Sequence, residues 1–211
     1  MNTLHRLHAA KFAGLCVTAT LFLGACATPP APPPAPAPVV VAPIPVYTGP
    51  TLPIEQSDRG VQIFLPSAVL FDIGKAEFKA ADAAPYLDRV AHLLKTKTTN
   101  KISIEGHTDN AGSAASNQAL SLARATSLMS ALSSRGIPAD RLVAVGFSFN
   151  RPIASNATDE GKKLNRRVEL VILDEKVENI TKGEAPNAFE SAWANLRSMI
   201  ERGLVKSVET K

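Results

Sequence analysis

Between Val61 and Leu173 the apolar residues follow two rhythms. Short apolar or alternating runs predict strands at Val61–Leu65 (VQIFL), Ala68–Phe71 (AVLF), Lys101–Gly106 (KISIEG), Arg141–Phe147 (RLVAVGF) and Arg166–Leu173 (RRVELVIL). In KISIEG, Ile102 and Ile104 share one face. Helical spacing fills the gaps. Tyr86, Leu87, Val90, Ala91, Leu93 and Leu94 predict a helix over Asp82–Thr96, with Pro85 tolerable in its first turn. Leu120, Ala123, Leu128 and Leu132 form the stripe of a second helix, Ser113–Ser134, which Gly136 closes and Pro138 follows. Strands alternating with helices predict an α+β sandwich, helices packed on one face of a mixed sheet. After Asp174, the residues Phe189, Trp193, Leu196, Ile200 and Leu204 step by four, three, four and four, one face of a helix. That helix is expected to dock on the domain; a partner surface and a membrane surface are the alternatives. It begins well after the last strand, so a chain ending near Lys176 is expected to fold without it.

Upstream of Val61 the composition changes. MNTLHRLHAAK is polar with two fixed positive charges, Arg6 and Lys11, and FAGLCVTATLFLGA is apolar and uncharged. This is the secretory-signal pattern, too short for an ordinary spanning helix. The run ends in LGAC, Leu23–Cys26, which resembles the bacterial lipoprotein box. The resemblance implies cleavage before Cys26 and acylation of that residue; Ala27 after it leans toward the outer membrane. Ten of the 16 prolines then fall between Pro29 and Pro50. Such a segment cannot form a ladder and favours a semi-rigid polyproline II spacer rising ~3.1 Å per residue. The expected division is 1–25 signal peptide, 26–58 lipidated cysteine and linker, 59–175 folded domain, and 176–211 helical tail.

Charge and composition remove whole classes of function. Lys+Arg number 23 against 19 Asp+Glu, and aromatics are 5% of the chain. Neither a basic footprint nor stacking platforms for nucleic acid are present. Both cysteines, Cys16 and Cys26, lie in the N-terminal segment, so neither a disulfide framework nor a cysteine metal site is expected. His92 and His107 are the histidines after Cys26, and they form no HExxH pair. GFSFN at Gly146–Asn150 lacks the closing glycine of a nucleophile elbow. No phosphate-binding glycine loop occurs. The expectation is a protein without catalysis, metal or cofactor.

The chemistry concentrates in GHTDNAGSAASNQALSLARA, Gly106–Ala125. Asp109 follows a strand and opens turn chemistry. Asn117, Ser121 and Arg124 share one face of the second helix. Helical side chains lean toward the N-terminus, so Arg124 reaches back toward the Asp109 loop. Spacing leaves several arrangements open. The acid and the guanidinium pair with each other, or they hold a ligand between them, or Asp109 serves an Asx turn and Arg124 a solvated face.

IEGHTDNAG, NQALSLARA, GIPADRL, GFSFNRPI and NRRVEL follow one another in the order and spacing of the OmpA-like peptidoglycan-binding domain. VLFDIGKAEF is similar to that family's opening strand and loop. The family includes the C-terminal domain of outer membrane protein A, the peptidoglycan-associated lipoprotein and the flagellar stator protein MotB. The resemblance covers Val61 to Asp174. It implies a β/αβ/αβ-β sandwich that binds the peptidoglycan stem peptide at meso-diaminopimelate without catalysis. Carried over by motif, Asp109 takes the ammonium and Arg124 the carboxylate. Asn117 is a secondary polar contact, and Arg166 and Asp72 are further site residues. Ser116 stands where many members have tyrosine. The function implied is a lipid-anchored tether between outer membrane and wall, its domain facing the periplasm. The alternative is the wall-anchoring subunit of a larger envelope complex with protein partners. If Cys26 carries the anchor, Cys26→Ser moves the protein from the membrane fraction to the soluble periplasmic fraction, because stable anchoring needs more than one acyl chain. A variant still wholly in the membrane fraction would assign anchoring to the apolar run.

Overall fold

The structure, a computed structural model, describes residues 46–208. The signal peptide, Cys26 and most of the proline-rich spacer lie outside the described residues. Twelve elements follow in order: β1 (Leu52–Ser57), β2 (Gly60–Pro66), α1 (Ser67–Leu70), α2 (Ala80–Thr96), β3 (Ile102–Gly106), α3 (Ala114–Ser134), β4 (Leu142–Gly146), α4 (Asp159–Asn165), β5 (Arg167–Leu173), α5 (Val177–Thr181), β6 (Phe189–Ser191) and α6 (Ala192–Glu201). One mixed sheet holds all six strands in the order β4-β3-β5-β2-β1-β6. β3 runs parallel to β4, and β1 to β6; the other neighbours are antiparallel.

Alternation along the strands sets the core. Ile63 and Leu65 of β2, Ile102 and Ile104 of β3, and Leu170 and Ile172 of β5 are buried on one face. Leu87, Val90 and Leu94 of α2 and Leu128 and Leu132 of α3 join them in a single apolar cluster. α2 and α3 thus cover one face as expected, but α6 does not join them: its Trp193 packs on Phe64, on the opposite face. The β1–β2 hairpin turns at Gly60, φ +131°, where a Cβ would lie 2.0 Å from the Ile172 carbonyl oxygen. Only glycine fits that conformation and that approach.

Three expectations change. AVLF is not a strand: Pro66 ends β2, and Ser67–Leu70 make one helical turn, with the Phe71 amide donating to the Ser67 carbonyl at 2.8 Å. Leu70 and Phe71 are buried all the same, and a short apolar run cannot tell a buried turn from a strand. The domain also starts earlier than Arg59, because Leu52–Ser57, placed in the linker, form β1. Finally, the residues after 176 are not one helix. Phe189 lies in β6, paired with Leu52, and Leu204 lies beyond α6. A strand residue, a helix face and a loop residue together meet the helical spacing.

The C-terminal elements belong to the same compact unit as the sheet. Ile180 of α5 and Ala188 are fully buried, and Trp193 of α6 packs edge-to-face on Phe64 at 5.3 Å. Arg89, buried in α2, is paired with Glu184 at 2.7 Å and lies over the rings of Tyr47 and Phe189. A chain ending at Lys176 therefore exposes apolar core and strands a buried guanidinium. Burying one large apolar side chain is worth ~1.5–3 kcal/mol, and an orphaned buried charge costs more. Urea unfolding is expected to show a loss of at least ~3 kcal/mol. An unchanged midpoint would make residues 177–211 an independent appendage.

Candidate ligand cleft

β3 and β4 end side by side, Gly106 in register with Gly146. The backbone of α3 crosses directly over both. A Cβ on Gly106 would lie 2.0 Å from the Ser121 carbonyl oxygen, and one on Gly146 would lie 2.6 Å from the Leu122 nitrogen. Beyond the glycines the chain is still pinned: the His107 amide donates to the Arg167 carbonyl and the Thr108 amide to the Ser148 carbonyl, each at 2.9 Å. Asp109 comes next, and its Oδ1 accepts from the Ala111 amide at 3.0 Å, an Asx turn. Asn117 Nδ2 donates to the Ala111 carbonyl at 2.7 Å and clamps the loop to α3, whose first turn Ser113 caps.

Asp72, Asp109, Asn117, Arg124 and Arg166 all line one cleft of about 500 Å³. Their detailed relations differ from the simplest expectation. Asp109 pairs with Arg166, whose Nη1 donates to Oδ2 at 2.5 Å, and not with Arg124. Arg124 is only 2% exposed, so it is no part of a solvated face. Its Nε donates to the Lys75 carbonyl at 2.9 Å, and its guanidinium lies over the Phe71 ring at 5.3 Å. Nη1 of Arg124 has no hydrogen-bond partner among the described residues. Burial pushes the Arg124 guanidinium below its usual range, Arg166 acts in the same direction, and Asp109 opposes both. The Asp72 carboxylate is half exposed and faces Lys75 and Lys79 at 3.5 and 4.0 Å; its backbone carbonyl is what faces Arg124.

The cleft has members that the spacing of apolar residues does not reveal. Ser67 Oγ and Thr108 Oγ1 are buried in its lining without a partner among the described residues, and such hydroxyls call for one. Phe71 and Leu120 form apolar wall. Lys163 stands on α4, a short helix whose signal was legible: Thr158 caps Gly161, and Asp159 and Glu160 fill the first turn.

The opposite face of the sheet carries a second polar cluster. Glu105, His107 and Glu169 bring potential metal-ligand atoms within 4.8 Å of one another. Their carboxylates are already engaged. Arg59 meets Glu105 at 2.6 Å, Arg167 meets Glu169 at 2.6 Å, and Arg151 lies 3.5 Å from Glu105. Three guanidiniums against two carboxylates make a poor host for a cation. His107 is buried; Nε2 lies 3.7 Å from Glu169, beyond hydrogen-bond reach, and neither ring nitrogen has a hydrogen-bond partner among the described residues. Burial, then Arg167 and Arg151, push its pKa down to about 2.

Helices packed on a mixed sheet, with a charged cleft at the ends of β3 and β4, define an α+β domain. Residues 70–166 match the OmpA family, and the chain carries an OmpA family domain. The chain is 37% identical over 124 residues to the Probable lipoprotein YiaD of Escherichia coli K12, 59% of this chain and 56% of that one. It is 45% identical over 86 residues to the Peptidoglycan-binding protein ArfA of Mycobacterium tuberculosis H37Rv, 41% of this chain and 26% of that one. It thus spans about half or less of the curated relatives it matches. Among solved structures, the cell wall anchor of the T6SS from Pseudomonas aeruginosa is 29% identical with a TM-score of 0.53, covering 58% of this chain and 87% of that one.

The state of His107 has a consequence for stability. As pH falls through about 6.5, the unfolded chain protonates this imidazole while the folded chain does not until about 2. The unfolded state then binds more protons, so stability present above pH 6.5 is lost on acidification, at up to ~1.4 kcal/mol per pH unit. Between pH 7 and pH 5 this site contributes a loss of ~2 kcal/mol. Urea unfolding of wild type and His107→Gln at both pH values checks it: the variant is expected to lose less over the interval, and an identical loss would refute the neutral, buried imidazole.

Proposed function

We propose that this chain is a non-catalytic binding protein that grips the peptide stem of peptidoglycan at meso-diaminopimelate. The observation that carries the reading is Arg124, buried with one nitrogen unpartnered, in the same cleft as Asp109. The free amino-acid end of diaminopimelate carries an ammonium and a carboxylate on one carbon. Asp109 receives the ammonium and Arg124 the carboxylate, each through charge-assisted hydrogen bonds. Arg166 holds Asp109 in place, and the hydroxyls of Ser67 and Thr108 offer further hydrogen bonds. The similarity to a relative named as peptidoglycan-binding and to a cell wall anchor supports the coarser reading of a wall-binding domain.

With an acylated Cys26 and the proline-rich spacer, the domain faces the periplasm and ties the outer membrane to the wall; the similarity to a relative named as a probable lipoprotein supports the anchor. A second reading, favoured by the likeness to the secretion-system anchor, is a wall-docking subunit of a larger envelope assembly. Both readings use the same cleft.

Asp109→Ala and Arg124→Ala are each expected to weaken binding ten- to a hundredfold, since a hydrogen bond to a charged group is worth ~1.5–3 kcal/mol. The double variant should lose less than the product, because both groups hold one ligand centre. A stem peptide with lysine in place of diaminopimelate lacks the free ammonium–carboxylate centre and should bind much more weakly than one with diaminopimelate. Calorimetry with both ligands, alongside sedimentation with isolated sacculi, checks these outcomes. Equal affinity for the lysine and the diaminopimelate peptides, or unchanged binding by both alanine variants, would remove the site.

A further inference from the structure

The charged cleft has an apolar neighbour. A groove of about 330 Å³ lies between α6 and the far face of the sheet. Phe64, Ile153, Leu164, Trp193, Leu196 and Met199 are the large apolar side chains in its walls. The two cavities share Ala68 and Lys163 in their linings. Ala68 is exposed on α1, and its small side chain leaves a low saddle between them. Lys163 is 64% exposed and is held only loosely, 3.9 Å from Glu160. Trp193, Leu196 and Met199 come from α6, outside the residues 70–166 that match the family.

Resting on the reading of the cleft given above, we infer that the bound wall peptide continues past Lys163 into this groove, where its alanine residues are buried under α6. The groove adjoins the cleft across Ala68 and Lys163, so a ligand held by Asp109 and Arg124 lies next to it. Its chemistry selects the occupant. Its accessible lining is mostly apolar, so sugar hydroxyls would lose water with little replacement. Methyl groups gain from the same walls. The alanines of a wall peptide carry a single methyl each, small enough to cross the Ala68 saddle, and a peptide carboxylate meets the Lys163 ammonium at the crossing. Each methyl buried is worth about fourfold in affinity.

Trp193 is the one tryptophan in the chain, so intrinsic tryptophan emission reports on its surroundings, this groove and the far-face polar pocket around Glu105 and Arg167 that it also lines. The full chain would be titrated with meso-diaminopimelate and with a synthetic wall tetrapeptide that carries alanine after the diaminopimelate. Both are expected to bind, the tetrapeptide roughly four- to tenfold more tightly. Only the tetrapeptide should shift Trp193 emission to shorter wavelength. Leu196→Ser should bring tetrapeptide affinity down toward that of diaminopimelate and leave diaminopimelate affinity unchanged, which also shows that the variant is folded. Tetrapeptide binding with no change in Trp193 emission would overturn the inference while the cleft reading stands. So would equal tetrapeptide affinity in Leu196→Ser. An emission shift that follows protein concentration without peptide would assign the groove to a second copy of the chain and overturn it too. Failure of both ligands to bind wild type would sink the cleft reading itself, and this inference with it.

Discussion

The contact of α3 with the ends of β3 and β4 decides where everything else in the cleft can be. At Ser121 the helix backbone rests on Gly106 and Gly146 at a separation no side chain would allow. Ser121 Oγ accepts from the Ser148 amide, and Gln118 Nε2 donates to the Gly146 carbonyl, so the contact is hydrogen-bonded as well as close. Asp109 lies three residues beyond Gly106, and Arg124 three beyond Ser121. Their separation is therefore set by one backbone crossing and not by the reach of flexible side chains. Such rigidity is what lets a buried guanidinium keep an unpartnered nitrogen beside an acid without collapsing onto it.

The two faces of the sheet divide the charge. Arg166 and Arg167 are adjacent in sequence, yet one pairs with Asp109 at the cleft and the other with Glu169 on the far face. Successive side chains in extended backbone point to opposite sides, so a two-residue step serves both sites. The far-face network of Glu105, Glu169, Arg59 and Arg167 encloses the neutral His107, two residues before Asp109. It fixes the root of the ligand loop from behind.

At the other end of the sheet, β6 covers the edge of β1, and α6 packs beside it. An exposed edge is a template for unwanted pairing, and a short parallel strand followed by a helix removes it. The same elements bury Ile180 and Ala188 and hold Glu184 against Arg89, so they are part of the folded unit and not an appendage. In doing so they build the apolar wall next to the cleft.

Arg166 and Asp72 came only from the family resemblance, while the amino-acid sequence alone determined most of the alternating core strands, the two long helices and the placing of Asp109 and Arg124 near one another. These are local matters: periodicity, capping and motif spacing act within a few residues. It did not determine that Asp109 pairs with Arg166, 57 positions away, since that partnership exists only once β5 lies beside β3. It gave α1 as a strand, because a short apolar run is buried equally well either way. It placed Phe189 on a helix, because the spacing of apolar residues does not reveal that an open strand edge at Leu52 waits to be paired. The burial of Arg124 and the joining of the cleft to the apolar groove at Ala68 and Lys163 were likewise decided by tertiary structure, where segments far apart in the chain are brought to one surface.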